Sequence, residues 1–169
     1  MFGSIKARFG SMGTIRALCE RAEHHARQEG QKEPGAEHFL LAALDLPDGT
    51  AQRTFEAVGA DPANLHQAIE RQYADGLKLV GLDPALAGEF AVPATPTQKL
   101  YEAAPSGKEV MQKLAEGRAA HRPLLGAHVV AIVAGMPHGV AARALRVMGI
   151  DAEALRAAAN RIASEKQAS

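Results

Sequence analysis

Residues 36–69 read AEHFLLAALDLPDGTAQRTFEAVGADPANLHQAI, and residues 126–159 read GAHVVAIVAGMPHGVAARALRVMGIDAEALRAAA; the two stretches superimpose without a gap at an offset of 90. Nine positions are identical, namely His38/His128, Pro47/Pro137, Gly49/Gly139, Ala51/Ala141, Arg53/Arg143, Gly59/Gly149, Asp61/Asp151, Leu65/Leu155 and Ala68/Ala158. Chance alone gives roughly three in an Ala-rich chain. The shared residues are largely those that stop and restart helices: Pro47 and Gly49 mark one turn, and Gly59 followed by Asp61 marks the next.

Working outward, each half reads as four helices. In the first half, Ala17, Leu18, Ala22 and Ala26 recur at helical spacing within Ile15–Glu29. The second helix, about Glu37–Leu46, is apolar nearly all round through Phe39, Leu40, Leu41 and Leu44, as a central buried helix should be. The third runs from about Thr50 to Val58 and ends at Gly59, a left-handed C′ position; Asp61 and Pro62 supply N-cap and N1 for the fourth. The matching elements are about Ser106–Ala120, Gly126–Ala134, Val140–Met148 and Asp151–Ser164, with Asp151 again the N-cap and Glu153 in the first turn. Gly76, Gly81, Pro84, Gly88, Pro93 and Pro96 predict a long surface connection over Ala74–Pro96, with residues 97–104 adding a helical turn. No alternating β-branched segment with hairpin chemistry occurs. The expected fold is all-α: two tandem four-helix repeats in a pseudo-two-fold relation, joined by a long linker. Its divisions are an N-terminal arm 1–12, repeat one 13–73, linker 74–104, repeat two 105–164 and a tail 165–169.

The 169 residues are 47% apolar, 22% charged and 4% aromatic, enough for one compact domain or two small subdomains sharing a core. Nineteen basic residues balance nineteen acidic ones, so the electrostatic footprint expected for nucleic acid or an anionic membrane is missing. Cys19 stands alone, which rules out an internal disulfide and a cysteine cluster for zinc and fits a reducing compartment. The opening residues lack an apolar signal core, and no run reaches the roughly 18 apolar residues of a membrane span, which predicts a soluble cytoplasmic protein. Leu124–Gly139 is nearly uncharged but broken by Gly126, Gly135 and Pro137, and reads as a buried helix with its turn.

Catalytic and cofactor patterns are sparse. Gly107-Lys108 is followed by Glu109, not the hydroxyl residue a phosphate loop needs for magnesium, and no Gly-x-Gly-x-x-Gly turn follows a strand; no cofactor is predicted. Cys19 has His24 and His25 within two turns, yet a structural thiol is the expected role. None of the seven histidines forms His-Glu-x-x-His or an i, i+4 pair, so no metal site is predicted. His38 and His128 share one register position, which favours a structural hydrogen bond made twice. Glu37, at a helix start, complements the helix dipole. An acid–base pair of Glu37 with His38 or His128 is the catalytic alternative, and it requires an open pocket with shifted pKa values.

Glu37-His38-Phe39-Leu40-Leu41-Ala42-Ala43-Leu44, with the Ala22/Ala26 helix before it and Gly59-x-Asp61 after it, resembles the Clp N-terminal repeat domain; the second copy, Gly126-Ala127-His128-Val129-Val130, resembles that family's variant second repeats. The resemblance covers about residues 10–164. It implies tandem four-helix repeats and a non-catalytic docking role, since in ClpA, ClpB and ClpC unfoldases such a domain precedes ATPase modules and receives adaptors, substrates or degradation tags. The implied partners are a peptide or protein ligand, an adaptor, a Clp ATPase or a cyclic peptide ligand, with this chain acting as adaptor or decoy in protein quality control. Docking on the Clp ATPase or peptidase as a regulator or assembly factor is the alternative.

The resemblance further implies a phosphoarginine site built from an acidic residue of the Glu-His motif and a hydroxyl residue before the first helix. Glu37 matches the acidic position; the hydroxyl position falls near Met12, with Ser11 and Thr14 close to it but out of register. The second half has Ala104 and Ala127 at the corresponding places, so its site would be lost. Apolar candidates for peptide contact are Phe2, Phe9, Leu79, Val80 and Phe90, each with a packing alternative.

Overall fold

A computed structural model describes residues 2–83 and 103–169, with side chains from residue 12 onward. Eight helices follow in order: α1 (Phe2–Gln28), α2 (Ala36–Leu44), α3 (Thr50–Ala57), α4 (Asn64–Leu79), α5 (Pro105–Glu116), α6 (Gly126–Ala134), α7 (Val140–Val147) and α8 (Ala152–Gln167). No strand occurs among the described residues. The all-α expectation therefore holds, and the bounds of α2/α6 and α3/α7 recur at an offset of 90.

The central helices are the two most apolar ones. In α2 every residue from Ala36 to Ala43 is buried, and in α6 Gly126–Val130, Val133 and Ala134 are. They pack on each other, while α1 lies on α2, α8 on α6, α4 on α7 and α3 on α8. Exchanging the two sets of four helices turns the α3–α8 contact into α7–α4, and the α3–α6 contact into α7–α2. Phe39, Phe55, Leu18, Leu65, Val129, Leu145 and Leu155 fill the shared core, each contributing about 1.5–3 kcal/mol of burial free energy. Close helix approach depends on glycine at two points. A Cβ on Gly107 would lie 2.3 Å from the Pro34 carbonyl oxygen, and one on Gly126 would lie 2.9 Å from that of Ala43.

Several expected boundaries shift. Helix α1 begins at Phe2, so the stretch read as an arm is helical, consistent with the helix-forming run Ile5-Lys6-Ala7-Arg8. Helix α4 runs to Leu79, past Gly76, so the connection does not start at Ala74. One interior glycine costs about 1 kcal/mol, which its helix-forming neighbours absorb; Gly81, at φ +78°, is where the chain turns. Asp61 does not cap α4 directly but holds the Ala63 N–H at 2.9 Å in a turn before it, because Pro62-Ala63 close that turn first. Asp151 does cap α8, accepting from the Ala154 N–H at 3.0 Å. Gly59 and Gly149 take left-handed φ of +72° and +73° at the ends of α3 and α7, as the C′ assignment requires. Phe90 and the rest of 84–102 lie outside the described residues, as do the side chains of Phe2, Phe9 and Ser11.

Candidate functional site

The Glu-His motif sits at the N-terminus of α2, where backbone N–H groups lack intrahelical partners. His38, at the third helical position, reaches back so that its Nδ1 accepts the Gly35 N–H at 2.8 Å. That fixes the tautomer: Nε2 carries the proton and donates it to Glu29 Oε2 at 3.1 Å. The imidazole thus does what a capping-box glutamate does, while tying α2 to the end of α1. His38 is fully buried, Glu37 is 5% exposed, and the Glu37 carboxylate accepts from the Tyr73 hydroxyl of α4. Burial, then the adjacent Glu37 charge, raises the Tyr73 phenol well above its ordinary range, so it stays a donor.

The hydroxyl at this helix end comes from the other set of helices. Ser106 Oγ of α5 accepts the Ala36 N–H at 3.0 Å, and Pro34 O accepts the Ala104 N–H at 3.1 Å. The Glu37 carboxylate, the Ser106 hydroxyl and the positive end of α2 therefore meet at one junction between the sets.

The N-terminus of α6 is built differently. His128 Nδ1 again accepts the backbone N–H before the helix, from Leu125 at 3.0 Å. The next two N–H groups go to the α2–α3 turn: Gly126 to Asp48 Oδ2 at 3.1 Å, and Ala127 to Thr50 Oγ1 at 2.9 Å. Asp48 Oδ1 in turn accepts the Thr50 N–H at 2.8 Å and the Thr50 hydroxyl. No carboxylate follows the helix start, since Ala127 stands where Glu37 does. His128 stacks on His121 with centroids 4.3 Å apart, and burial plus that neighbour hold its pKa down at about 4 against a smaller opposing pull from Asp48.

With this geometry in view, comparison with known proteins is specific. The family model of the Clp repeat (R) N-terminal domain matches residues 14–103, more than half of the chain. The chain belongs to the Clp repeat N-terminal domain family. It is 36% identical over 64 residues to the chloroplastic chaperone protein ClpC2 of Oryza sativa subsp. japonica, covering 38% of this chain and 7% of that protein. The same figures hold for the chloroplastic ATP-dependent Clp protease ATP-binding subunit ClpA homolog CD4B of Solanum lycopersicum. It is 39% identical over 54 residues to the chloroplastic chaperone protein ClpC of Pisum sativum, covering 32% of this chain and 6% of that protein. The matched segment is thus under a tenth of each of these relatives.

The Clp-repeat motif residues fall at helix ends, not in an open pocket. Glu37, His38 and His128 are buried, and His128 lies at the other helix end, so the two histidines do not converge on one cavity. Met12 is exposed and Thr14 half-buried on α1, whereas the hydroxyl bonded to α2 is that of Ser106. Sequence reasoning missed Ser106 because it sought the hydroxyl in the same half as Glu37; its place two residues after Ala104 was the available signal. Leu79 and Val80 are 88% and 70% exposed at the end of α4, continued by Leu82. Cys19 is half-buried with Sγ 4.0 Å from Met111 Sδ, a packing contact between α1 and α5. Among the described residues no group of three His, Cys, Asp or Glu side chains could hold a metal, and no helix is long and apolar enough to cross a membrane.

Proposed function

We propose that the chain docks peptide or protein ligands at the α2 N-terminus and serves Clp-related protein quality control as an adaptor or decoy for a Clp ATPase. The observation that carries this reading is the junction of Glu37, Ser106 and the α2 N-terminus in a chain of the Clp repeat family. The charge logic is direct. A guanidinium would take the carboxylate of Glu37 from Tyr73, and an attached phosphoryl group would find the Ser106 hydroxyl and the helix end. The exposed Leu79 and Val80 supply apolar area for the rest of a peptide. Acid–base catalysis by Glu37 with His38 would need a free imidazole nitrogen, and both of His38 are engaged inside the fold, one by the Gly35 N–H and the other by Glu29.

The test is calorimetric titration with phosphoarginine, unmodified arginine and a cyclic peptide that docks on Clp N-terminal domains, repeated with Glu37→Ala. Saturable binding of phosphoarginine that the substitution abolishes supports the site. In parallel, cross-linking capture with purified Clp ATPase and peptidase tests the protein-docking role. Silence in titration with capture of the ATPase or peptidase would replace the ligand-docking reading by the regulator one; silence in both would overturn it.

A further inference from the structure

At the opposite end of α2 a cleft of about 600 Å³ opens between the C-terminal part of α1, α3 and the start of α4. Its floor is apolar, from Leu41, Leu44 and Pro62, and its rim carries Asp45, Asp61, His25 and His66. One carboxylate oxygen of each aspartate is bonded within the fold, Asp45 Oδ2 to His25 and Asp61 Oδ1 to the Ala63 N–H. Asp45 is the C-cap of α2, where the helix end adds partial negative charge, and its Oδ2 accepts from His25 Nε2 at 2.6 Å. His25 Nδ1 is buried with no hydrogen-bond partner, as is Glu29 Oε1, behind His66. His66 stands between Glu29 at 3.5 Å and Glu70 at 3.2 Å. The nearby guanidinium, that of Arg21, is bound to the Asp45 carbonyl at 2.6 Å.

This acidity is not imposed by the backbone. The positions related by the 90-residue offset form a second cleft, of about 290 Å³, at the end of α6. There Gly135 replaces Asp45 and Arg156 replaces His66, and Arg146 and Glu153 complete the charged rim, with Arg156 paired to Glu153 at 3.1 Å. The same architecture thus carries two carboxylates and two imidazoles at one end, and two guanidiniums with one carboxylate at the other.

We propose that the first cleft receives a basic side chain of an extended polypeptide, its methylenes on Leu41, Leu44 and Pro62 and its cationic head between Asp45 and Asp61. The inference rests on the reading of the chain as a peptide-docking protein, and adds a second contact point that selects basic, apolar-flanked segments. A long basic side chain matches the cleft because its stem is apolar and its head offers only donors.

The experiment is an amide-shift NMR titration of the full chain with an acetylated Leu-Arg-Leu-Arg amide peptide and with its Leu-Glu-Leu-Glu counterpart. It is repeated in Asp45→Asn/Asp61→Asn, which keeps the cap and turn acceptors. The arginine peptide is expected to shift amides of residues 41–45 and 61–66 saturably, the glutamate peptide not at all. The double substitution should weaken binding roughly fivefold or more, and added salt should weaken it further. Equal binding of the two peptides, unchanged affinity in the variant, or no shift with either peptide would overturn the cleft assignment. Shifts confined to residues 36–38 and 106 would also overturn it while leaving the docking reading intact, which the capture experiment tests separately. Because the two peptides are compared on the unaltered chain, the outcome does not depend on the variant folding.

Discussion

Thr50→Val removes one oxygen from the contact between the α2–α3 turn and the N-terminus of α6. In the intact protein that oxygen accepts the Ala127 N–H at 2.9 Å and donates to Asp48, and both Thr50 and Ala127 are fully buried. Valine keeps the shape but leaves the Ala127 N–H without an acceptor in a place water does not reach. An orphaned buried amide costs about 1–3 kcal/mol, the lost bond to a carboxylate adds to it, and the extra buried methyl returns about 0.8 kcal/mol. The expected net loss is about 2–3 kcal/mol, a fall in Tm of about 4–12 °C for a chain of this length. Urea unfolding followed by circular dichroism should show a lower midpoint at unchanged slope, and the Ala127 amide should exchange faster with solvent. Thr50→Ser, which keeps the oxygen, should recover most of the loss. A valine variant within about 0.5 kcal/mol of the parent would refute the reasoning, since a surface substitution without structural role does no more.

Two further outcomes follow from the same geometry. His128 has a folded-state pKa of about 4 against an unfolded value of about 6.5, so between those values the unfolded chain binds the extra proton. Stability should fall as pH drops through that window, by at most about 3 kcal/mol, with burial of His121 acting in the same direction. His128→Gln, which keeps an acceptor for the Leu125 N–H, should flatten the acid limb in urea midpoints measured from pH 7 to pH 4; an unchanged limb would contradict the assignment. Gly107→Ala should destabilise by about 1–3 kcal/mol or more, because the added methyl meets the Pro34 carbonyl oxygen at 2.3 Å, and calorimetric Tm reads the effect.

The helices were legible because their punctuation is chemical. Pro47, Gly49, Gly59 and the matching residues of the second half can serve few purposes other than ending a helix, and α3 and α7 stop where these residues say. The apolar character of α2 likewise marks it in the sequence as the core helix. Legibility failed where a boundary depended on weak preferences. Gly76 breaks no helix because its cost is small beside four turns of hydrogen bonds, and the arm before Ile15 joins α1 because nothing in it forbids helix. The candidate site was half legible. Glu37 and His38 were marked by their motif, but Tyr73 reaches Glu37 from 36 positions away, Glu29 reaches His38 from 9, and Ser106 reaches the neighbouring Ala36 from 70, separations no local pattern encodes.

The two central helices start with nearly the same histidine geometry, yet neither is completed by its own half of the chain. The α2 N–H of Ala36 is taken by Ser106, from α5, and the α6 N–H groups of Gly126 and Ala127 are taken by Asp48 and Thr50, from the turn before α3. Thr50 has Val140 as its counterpart and Asp48 has His138, so the same bonds cannot be drawn in reverse. The two halves therefore differ at their shared interface: one side holds a carboxylate and a phenol, the other a stacked imidazole pair. Separating the halves should therefore cost more than the loss of apolar contact alone, since the N–H groups of Ala36, Gly126 and Ala127 would each lose their acceptor.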